Sequence, residues 1–355
     1  MYKSLQACRA AAALLVVFYH LGATIALDKY FGIQAFAVPF RFGDSGVEFF
    51  FVLSGFIITH VHYADMTKPS RALEYIRKRL VRIYPIYWFV FLAVYLSALW
   101  VPSLRETIPS DPLLILKALS LMPLDPDVVG GTGAPVIIVA WSLQYEMAFY
   151  FLVLMAILSR SLAVAALVVI VSAAVFGKSF PWSFIGSLHV SYFFLGVGVA
   201  LLCRSKKMLF PPVGSAATGI IAFIAFGLYE VAFPISEKYE NTFEFVGYGL
   251  TSCLIIYGLV KLEDGGARIA TGFLPKTIGD ASYSIYLLHF PLISLICKLA
   301  IAFGLSGFYG ALITYLFSAI SCVLSGIILH LWVERPMLRF FSRHSQPVSR
   351  EQTAF

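Results

Sequence analysis

The sequence predicts an all-α fold: a polytopic membrane bundle of about ten transmembrane helices with both termini in the cytoplasm. Composition, the spacing of apolar stretches and the placement of basic residues support this prediction. Of the 355 residues, 60% are hydrophobic and only 13% are charged, and the mean hydropathy is +0.85. A soluble protein of this length needs more charge to cover its surface, so the composition indicates a membrane protein.

Ten apolar stretches of membrane-spanning length divide the chain, and no connection between them is long enough for a soluble domain. They are residues 5–27, 44–63, 82–101, 135–158, 162–177, 189–203, 213–233, 243–261, 278–303 and 307–333. We expect one transmembrane domain over residues 1–340 and a cytoplasmic tail over 341–355. An apolar segment at 113–122, too short to span, should lie on the membrane or fold back into it.

The basic residues set the orientation. With the N-terminus inside, cytoplasmic segments hold 19 of the 26 Lys and Arg residues, external connections hold six, and Lys298 lies within a span. The inner segments include residues 71–82, Lys206 and Lys207. This asymmetry predicts a cytoplasmic N-terminus. The net charge of +7 therefore reflects membrane topology and gives no reason to expect nucleic-acid binding. The basic inner face is suited to bind phosphate groups of a lipid or a cofactor.

The first span carries two ionisable residues, Arg9 and His20, inside an otherwise apolar run. They lie eleven residues apart, so a helix places them on one face and separates them by about 16 Å along its axis. Charged groups in a bilayer are costly, so other spans must shelter this face. His20 suits general-base chemistry near neutral pH. The alternative is a packing histidine with satisfied hydrogen bonds.

The second span contains Glu48 near its outer end and Ser54-Gly55 near its middle. Glu48 is either functional or an interfacial carboxylate that reaches water. The small residues Ser54 and Gly55 either form a packing notch that lets two helices approach closely, or Ser54 donates a hydrogen bond within a functional site.

Arg79 and Arg82 lie three residues apart where the chain re-enters the membrane, so they share one helical face. They are either positive-inside anchors or a guanidinium fork for a phosphorylated cofactor. In the fourth span, Glu146 lies well inside the membrane and must be protonated, paired or facing a polar cavity.

The ninth span opens with Tyr283, Tyr286 and His289, which form a polar ridge at helical spacing, either a wet tunnel wall or a structural kink. After the tenth span, Glu334-Arg335-Pro336 predicts a helix stop with a local charge pair.

Several kinds of site are not indicated by the sequence. There is no G-x-S-x-G elbow, no Walker-type phosphate loop and no H-E-x-x-H motif. The five cysteines fall in or beside spans without a disulfide or zinc pattern, and His60 with His62 makes a weak metal candidate. We therefore expect no metal and no permanently bound cofactor.

Together these segments resemble the acyltransferase type 3 family of integral-membrane O-acyltransferases. Arg9 to His20 is similar to its R-x10-H signature, and GVEFFFVLSGFII, RLVRIYPIYW, WSLQYEMAFY, SYSIYLLHFP and ERP resemble its later blocks in the family's order. The resemblance covers nearly the whole chain and is strongest to stand-alone members that modify exopolysaccharides, O-antigens or Nod factors.

The resemblance implies transfer of an acyl group, commonly acetyl, from cytoplasmic acyl-CoA to a sugar hydroxyl of a glycan or lipid-linked oligosaccharide. It implies these roles: catalysis by His20 with Glu48 or Glu146 orienting the imidazole, donor binding by Arg9, Arg79, Arg82 and Ser54, and substrate contacts from Trp141, Tyr283 and His289. The expected location is the bacterial inner membrane. Two alternatives are a proton-coupled transporter or flippase that uses Glu146, His20 and His289, and a non-catalytic partner in polysaccharide export.

Overall fold

The computed structural model describes residues 2–100, 108–205, 208–233, 235, 242–269 and 272–343, and all regular secondary structure in these ranges is helical, as predicted. Helices of at least eight residues are numbered α1–α13 in chain order. They are α1 Lys3–Ile25, α2 Ser45–His62, α3 Ala72–Trp100, α4 Pro112–Leu119, α5 Trp141–Leu158, α6 Arg160–Phe176, α7 Leu188–Arg204, α8 Pro212–Ala232, α9 Thr251–Asp264, α10 Phe273–Asp280, α11 Ser282–Ala302, α12 Gly307–Leu329 and α13 Arg335–Arg343.

Within the described ranges, nine helical segments are long and apolar enough to cross a membrane. The tenth expected span is α6, which is apolar but only 17 residues long. A helix of that length is about 25 Å long, near the lower limit for spanning a bilayer. The structure therefore has the predicted class, an integral-membrane helical bundle, and its described residues include nine long helical segments and one short one.

Two boundaries differ from the sequence prediction. Helix α3 begins at Ala72, ten residues before the predicted span, because a helix that projects from the membrane need not be apolar. After α12, a π-helical turn at His330–Glu334 leads directly into α13, so Glu334-Arg335-Pro336 does not stop the helix. Pro336 falls in the first turn of α13, where its missing N–H costs little.

Some predicted features lie outside the described residues. These are the basic pair Lys206 and Lys207, residues 102–107 and 236–241 of two predicted external connections, and residues 344–355 of the predicted tail.

Helix α1 lies at the centre of the bundle and packs against α2, α10, α11 and α12. Its first amides have no intrahelical acceptors, and the Glu263 carboxylate accepts from the backbone N–H of Lys3 at 3.0 Å and of Ser4 at 2.5 Å. The prediction that Arg9 and His20 share one sheltered face is confirmed, because both side chains hydrogen-bond to α11.

Close contact between α2 and α7 depends on two glycines. A Cβ at Gly55 would lie 2.1 Å from the carbonyl oxygen of Phe193, and a Cβ at Gly196 would lie 2.0 Å from that of Val52. The packing notch expected at Ser54-Gly55 is therefore confirmed for Gly55. Its neighbour Ser54 faces a different helix, α5.

The segment at 113–122 folds back against the bundle. Tyr84, Tyr87 and Trp88 of α3 donate side-chain hydrogen bonds to three consecutive carbonyls at the end of α4, residues 118–120, at 2.7 to 2.9 Å. The carbonyls of Leu119 and Ser120 thus receive donors at the helix end, and that of Ala118 also accepts from the backbone N–H of Leu121 at 3.0 Å. The connection is therefore attached to α3, and its position relative to the membrane stays a prediction.

Candidate active site

A cavity of about 1180 Å³ opens between α1, α2, α3, α5 and α11. It extends from exposed residues at the start of α3 to the buried side chains of Ser142 and Tyr286. Six of the predicted site residues line it: Arg9, Ser54, Arg79, Arg82, Glu146 and Tyr283. The structure thus brings together side chains from five separate predicted blocks.

Arg9 is anchored where α11 begins. Its Nε and Nη2 donate to the Ser282 hydroxyl at 3.2 and 3.0 Å. One turn earlier on α1, the Gln6 amide donates to the Asp280 carboxylate at 2.9 Å. Arg9 therefore has a fixed position in the cavity wall, and its hydrogen-bond partner is an uncharged hydroxyl.

Arg82 is held by an ion pair with Glu334. Its Nη1 lies 2.7 Å from Glu334 Oε1, and the carboxylate is only 1% exposed. The second oxygen, Oε2, accepts from Ser284 at 2.7 Å and contacts His330 at 2.8 Å. The prediction of a local charge pair at Glu334-Arg335 is wrong, because Glu334 points into the bundle and pairs with α3.

Glu146 lies in the cavity wall beside two hydroxyl groups. Tyr150 donates to its Oε1 at 2.5 Å, and Ser54 donates to the same oxygen at 3.3 Å. Of the three alternatives, protonated, paired or facing a polar cavity, the structure supports the last, because Glu146 lines the cavity beside two hydroxyl groups. Tyr150 is four residues after Glu146, and this one-turn spacing explains their contact.

His20 does not line the cavity; it pairs with His289 of α11. Nδ1 of His20 lies 3.0 Å from the carbonyl oxygen of Val16 and 3.2 Å from Nε2 of His289. Nδ1 of His289 lies 2.6 Å from the carbonyl oxygen of Tyr286. The orienting position that the sequence assigned to Glu48 or Glu146 is therefore occupied by His289.

The hydrogen bonds determine which ring nitrogens carry protons. A carbonyl oxygen only accepts, so Nδ1 of each histidine carries the hydrogen that reaches its carbonyl. In the neutral rings both Nε2 atoms therefore have free lone pairs. The single Nδ1–H of His20 is shared between the Val16 carbonyl at 3.0 Å and the lone pair of His289 Nε2 at 3.2 Å, and Nε2 of His20 is left to accept a proton.

Tyr286 separates the cavity from the histidine pair. Its hydroxyl is 2.8 Å from Ser142 Oγ and donates to the carbonyl oxygen of Val139 at 3.0 Å. Its ring centroid is 5.7 Å from that of His289, which is fully buried. His289 thus lies next to Tyr286, and His20 follows His289 on the path away from the cavity wall.

Two predicted site residues lie elsewhere. Glu48 is 7% exposed, its charged neighbours include Asp44 and Glu244, and within the described chain its Oε2 has no hydrogen-bond partner. Trp141 belongs to an aromatic cluster, 5.0 Å from His189 and 6.1 Å from Phe51 between ring centroids. Phe51 also lines the cavity, so Trp141 lies behind that wall.

Comparison with known proteins identifies the family. A family model described as an acyltransferase domain matches residues 2–331. The chain belongs to this acyltransferase family. It is also similar to the exopolysaccharide production protein ExoZ of Rhizobium meliloti (strain 1021), at 31% identity over 323 residues, which cover 84% of this chain and 91% of the relative. No solved structure matches the chain.

The matched region of this membrane acyltransferase contains the histidine pair and nearly all of the cavity. Sequence reasoning missed Tyr150 and Glu334 as parts of the site. The i, i+4 spacing of Tyr150 from Glu146 is a signal that could have found the first. No local sequence pattern predicts the contact of Glu334 with Arg82, because the two residues are 252 positions apart in the chain.

Proposed function

We propose that this chain is a membrane O-acyltransferase that moves an acyl group, in the simplest case acetyl, from acyl-CoA to a sugar hydroxyl of an exported polysaccharide. The observation that supports the proposal is one continuous arrangement. An arginine-lined cavity leads to Tyr286, the ring of Tyr286 lies beside His289, and His289 contacts His20, whose Nε2 is free to accept a proton. Family membership favours this function over the transporter alternative.

The cavity suits a donor larger than an ordinary small ligand. Its volume of about 1180 Å³ exceeds the roughly 300–1,000 Å³ typical of small-molecule sites. Its exposed end carries Arg71, Arg77 and Lys78, an excess of positive charge that suits phosphate groups although Glu74 pairs with Arg71 and Lys78. In the orientation that the basic residues predict, this exposed end faces the cytoplasm, where acyl-CoA is found.

The acceptor is assigned to the opposite end of the bundle. His20 is partly buried near the C-terminal end of α1, which ends at Ile25. The relative's name refers to exopolysaccharide production. We therefore assign the acceptor to the class of exported or lipid-linked glycans, and the protein to a bacterial inner membrane.

The proposed step uses His20 as general base. Nε2 of His20 takes the proton of the sugar hydroxyl, and the hydroxyl oxygen attacks the thioester carbonyl. The new C–O ester bond forms, the C–S bond breaks, and the CoA thiolate leaves and receives the proton from His20. His289 is a positioning residue in this scheme, because its Nε2 accepts from His20 and fixes the ring and its tautomer. Tyr286 must give way for the thioester to reach this point.

The test is transfer by purified protein. The protein in lipid nanodiscs is given acetyl-CoA with a labelled acetyl group and a de-acetylated exopolysaccharide or lipid-linked oligosaccharide. The proposal predicts alkali-labile label on the glycan that depends on both substrates. Label that stays on CoA with every glycan tested, while the same nanodiscs move a sugar across the bilayer, would favour the transporter.

A further inference from the structure

Arg79 and Arg82, for which the sequence predicts the same role, differ in the charged groups that surround them. Arg82 faces a buried carboxylate, because Glu334 lies 2.7 Å from its Nη1. Its guanidinium also stacks over the ring of Tyr283 at 5.4 Å. Much of the charge of Arg82 is therefore already compensated within the protein, and its position ties α3 to the end of α12.

Arg79 has a different set of partners. Its Nη2 is 3.2 Å from Nε2 of His62, and its guanidinium lies 5.9 and 5.7 Å from the rings of Tyr75 and Tyr150. Its Nε is buried and has no acceptor within the described chain. Across the same residues, no carboxylate lies within 4 Å of this guanidinium, in contrast to Arg82. Within the described chain, Arg79 therefore lies in the cavity wall without a carboxylate partner, and its Nε is buried and not exposed to the cavity.

His62 is itself fixed by an aspartate. Its Nδ1 is 2.8 Å from Asp65 Oδ2, and the imidazole is only 5% exposed. The edge of the ring packs on Tyr75, with 4.9 Å between centroids. The guanidinium can only donate, so Nε2 of His62 must be the acceptor, and the ring proton lies on Nδ1 toward Asp65. An aspartate–histidine pair thus orients Arg79 through a neutral acceptor.

We propose that His62, held by Asp65, is a positioning residue that presents Arg79 to a phosphate group of the acyl donor, while Arg82 acts as a structural strut. The inference deepens the proposed function, on which it rests. A neutral acceptor orients a guanidinium without cancelling its charge, whereas a carboxylate would compete with the phosphate. The location of Arg79 in the cavity wall and its contact with the His62 imidazole fit this role.

The experiment compares two donors that differ in phosphate content. Acetyl-CoA carries the phosphates, and S-acetylpantetheine carries the same thioester without them. In His62→Leu and Arg79→Gln, we expect KM for acetyl-CoA to rise about tenfold with kcat within about twofold, as expected for loss of one oriented charge-assisted contact. KM for S-acetylpantetheine should not change. His62→Gln, whose amide oxygen also accepts, should restore most of the KM for acetyl-CoA.

Arg204→Gln is the matched control for loss of one positive charge, because Arg204 packs over Tyr63 at 3.9 Å and is not among the cavity-lining residues. An unchanged KM for acetyl-CoA in both His62→Leu and Arg79→Gln would overturn the inference. So would an equal rise for both donors, which would indicate a general structural defect.

Calorimetric binding of CoA to the same variants separates this inference from the proposed function. Wild type that transfers no acetyl group but binds CoA about tenfold more tightly than His62→Leu would contradict the proposed function. The same result would support the positioning of Arg79 by His62 toward a phosphate group. If transfer proceeds and CoA affinity is the same in wild type, His62→Leu and Arg79→Gln, the function stands and the positioning role fails. Absence of CoA binding in wild type would overturn the inference.

Discussion

Replacing Arg82 with Leu should destabilise the protein, because Glu334 would be left buried without its cation. Breaking a buried ion pair on one side typically costs about 3–5 kcal/mol. Arg82 is 32% exposed, and Glu334 keeps its contacts with Ser284 and His330. Both facts reduce the penalty, so we expect a loss of about 2–3 kcal/mol in the free energy of unfolding.

The assay is equilibrium unfolding in mixed micelles for wild type, Arg82→Leu, Glu334→Leu and the double variant. The double variant should be more stable than Arg82→Leu alone, because it contains no unpaired buried charge. An Arg82→Leu protein as stable as wild type would refute the strut interpretation. A double variant that loses the sum of the two single losses would refute it as well, since the two residues would then act independently.

Two further predictions concern packing and topology. Gly196→Val should destabilise the α2–α7 contact by about 1–3 kcal/mol. The control is Gly198→Val, where a Cβ meets nothing within 4 Å, and this variant should unfold nearly like wild type. Equal stability of the two variants would contradict the close-contact argument. A cysteine at exposed Lys29 should react with a membrane-impermeant thiol reagent in intact cells, and one at exposed Lys68 only after the membrane is opened. Labelling of Lys68→Cys in intact cells would reverse the orientation and the donor side with it.

Local patterns were sufficient for the helices and for the face of α1. Hydropathy located the spans, and the spacing of Arg9 and His20 placed both against one neighbouring helix. The extension of α3 to Ala72 was missed because charged residues lower the hydropathy of a segment without breaking its helix. The π turn at His330–Glu334 was missed because Pro336 is normally read as a stop.

The site could be predicted only in part. The cavity-lining arginines and Glu146 were found because ionisable groups in apolar spans are costly and therefore informative. Their partners were not found, because these depend on how distant helices pack. His20 and His289 are 269 residues apart in the chain. The difference between Arg79 and Arg82 likewise lies in their partners, a neutral imidazole for one and a carboxylate for the other.

The central claim is that Nε2 of His20 accepts the proton of the acceptor hydroxyl, and transfer by His20→Gln tests it most directly. Glutamine retains hydrogen-bonding capacity but does not take up a proton near neutral pH. The account predicts that acyl transfer to the glycan falls by about 10²–10⁴-fold, while membrane insertion and CoA binding remain as in wild type. Transfer by His20→Gln at a rate near that of wild type would contradict the account.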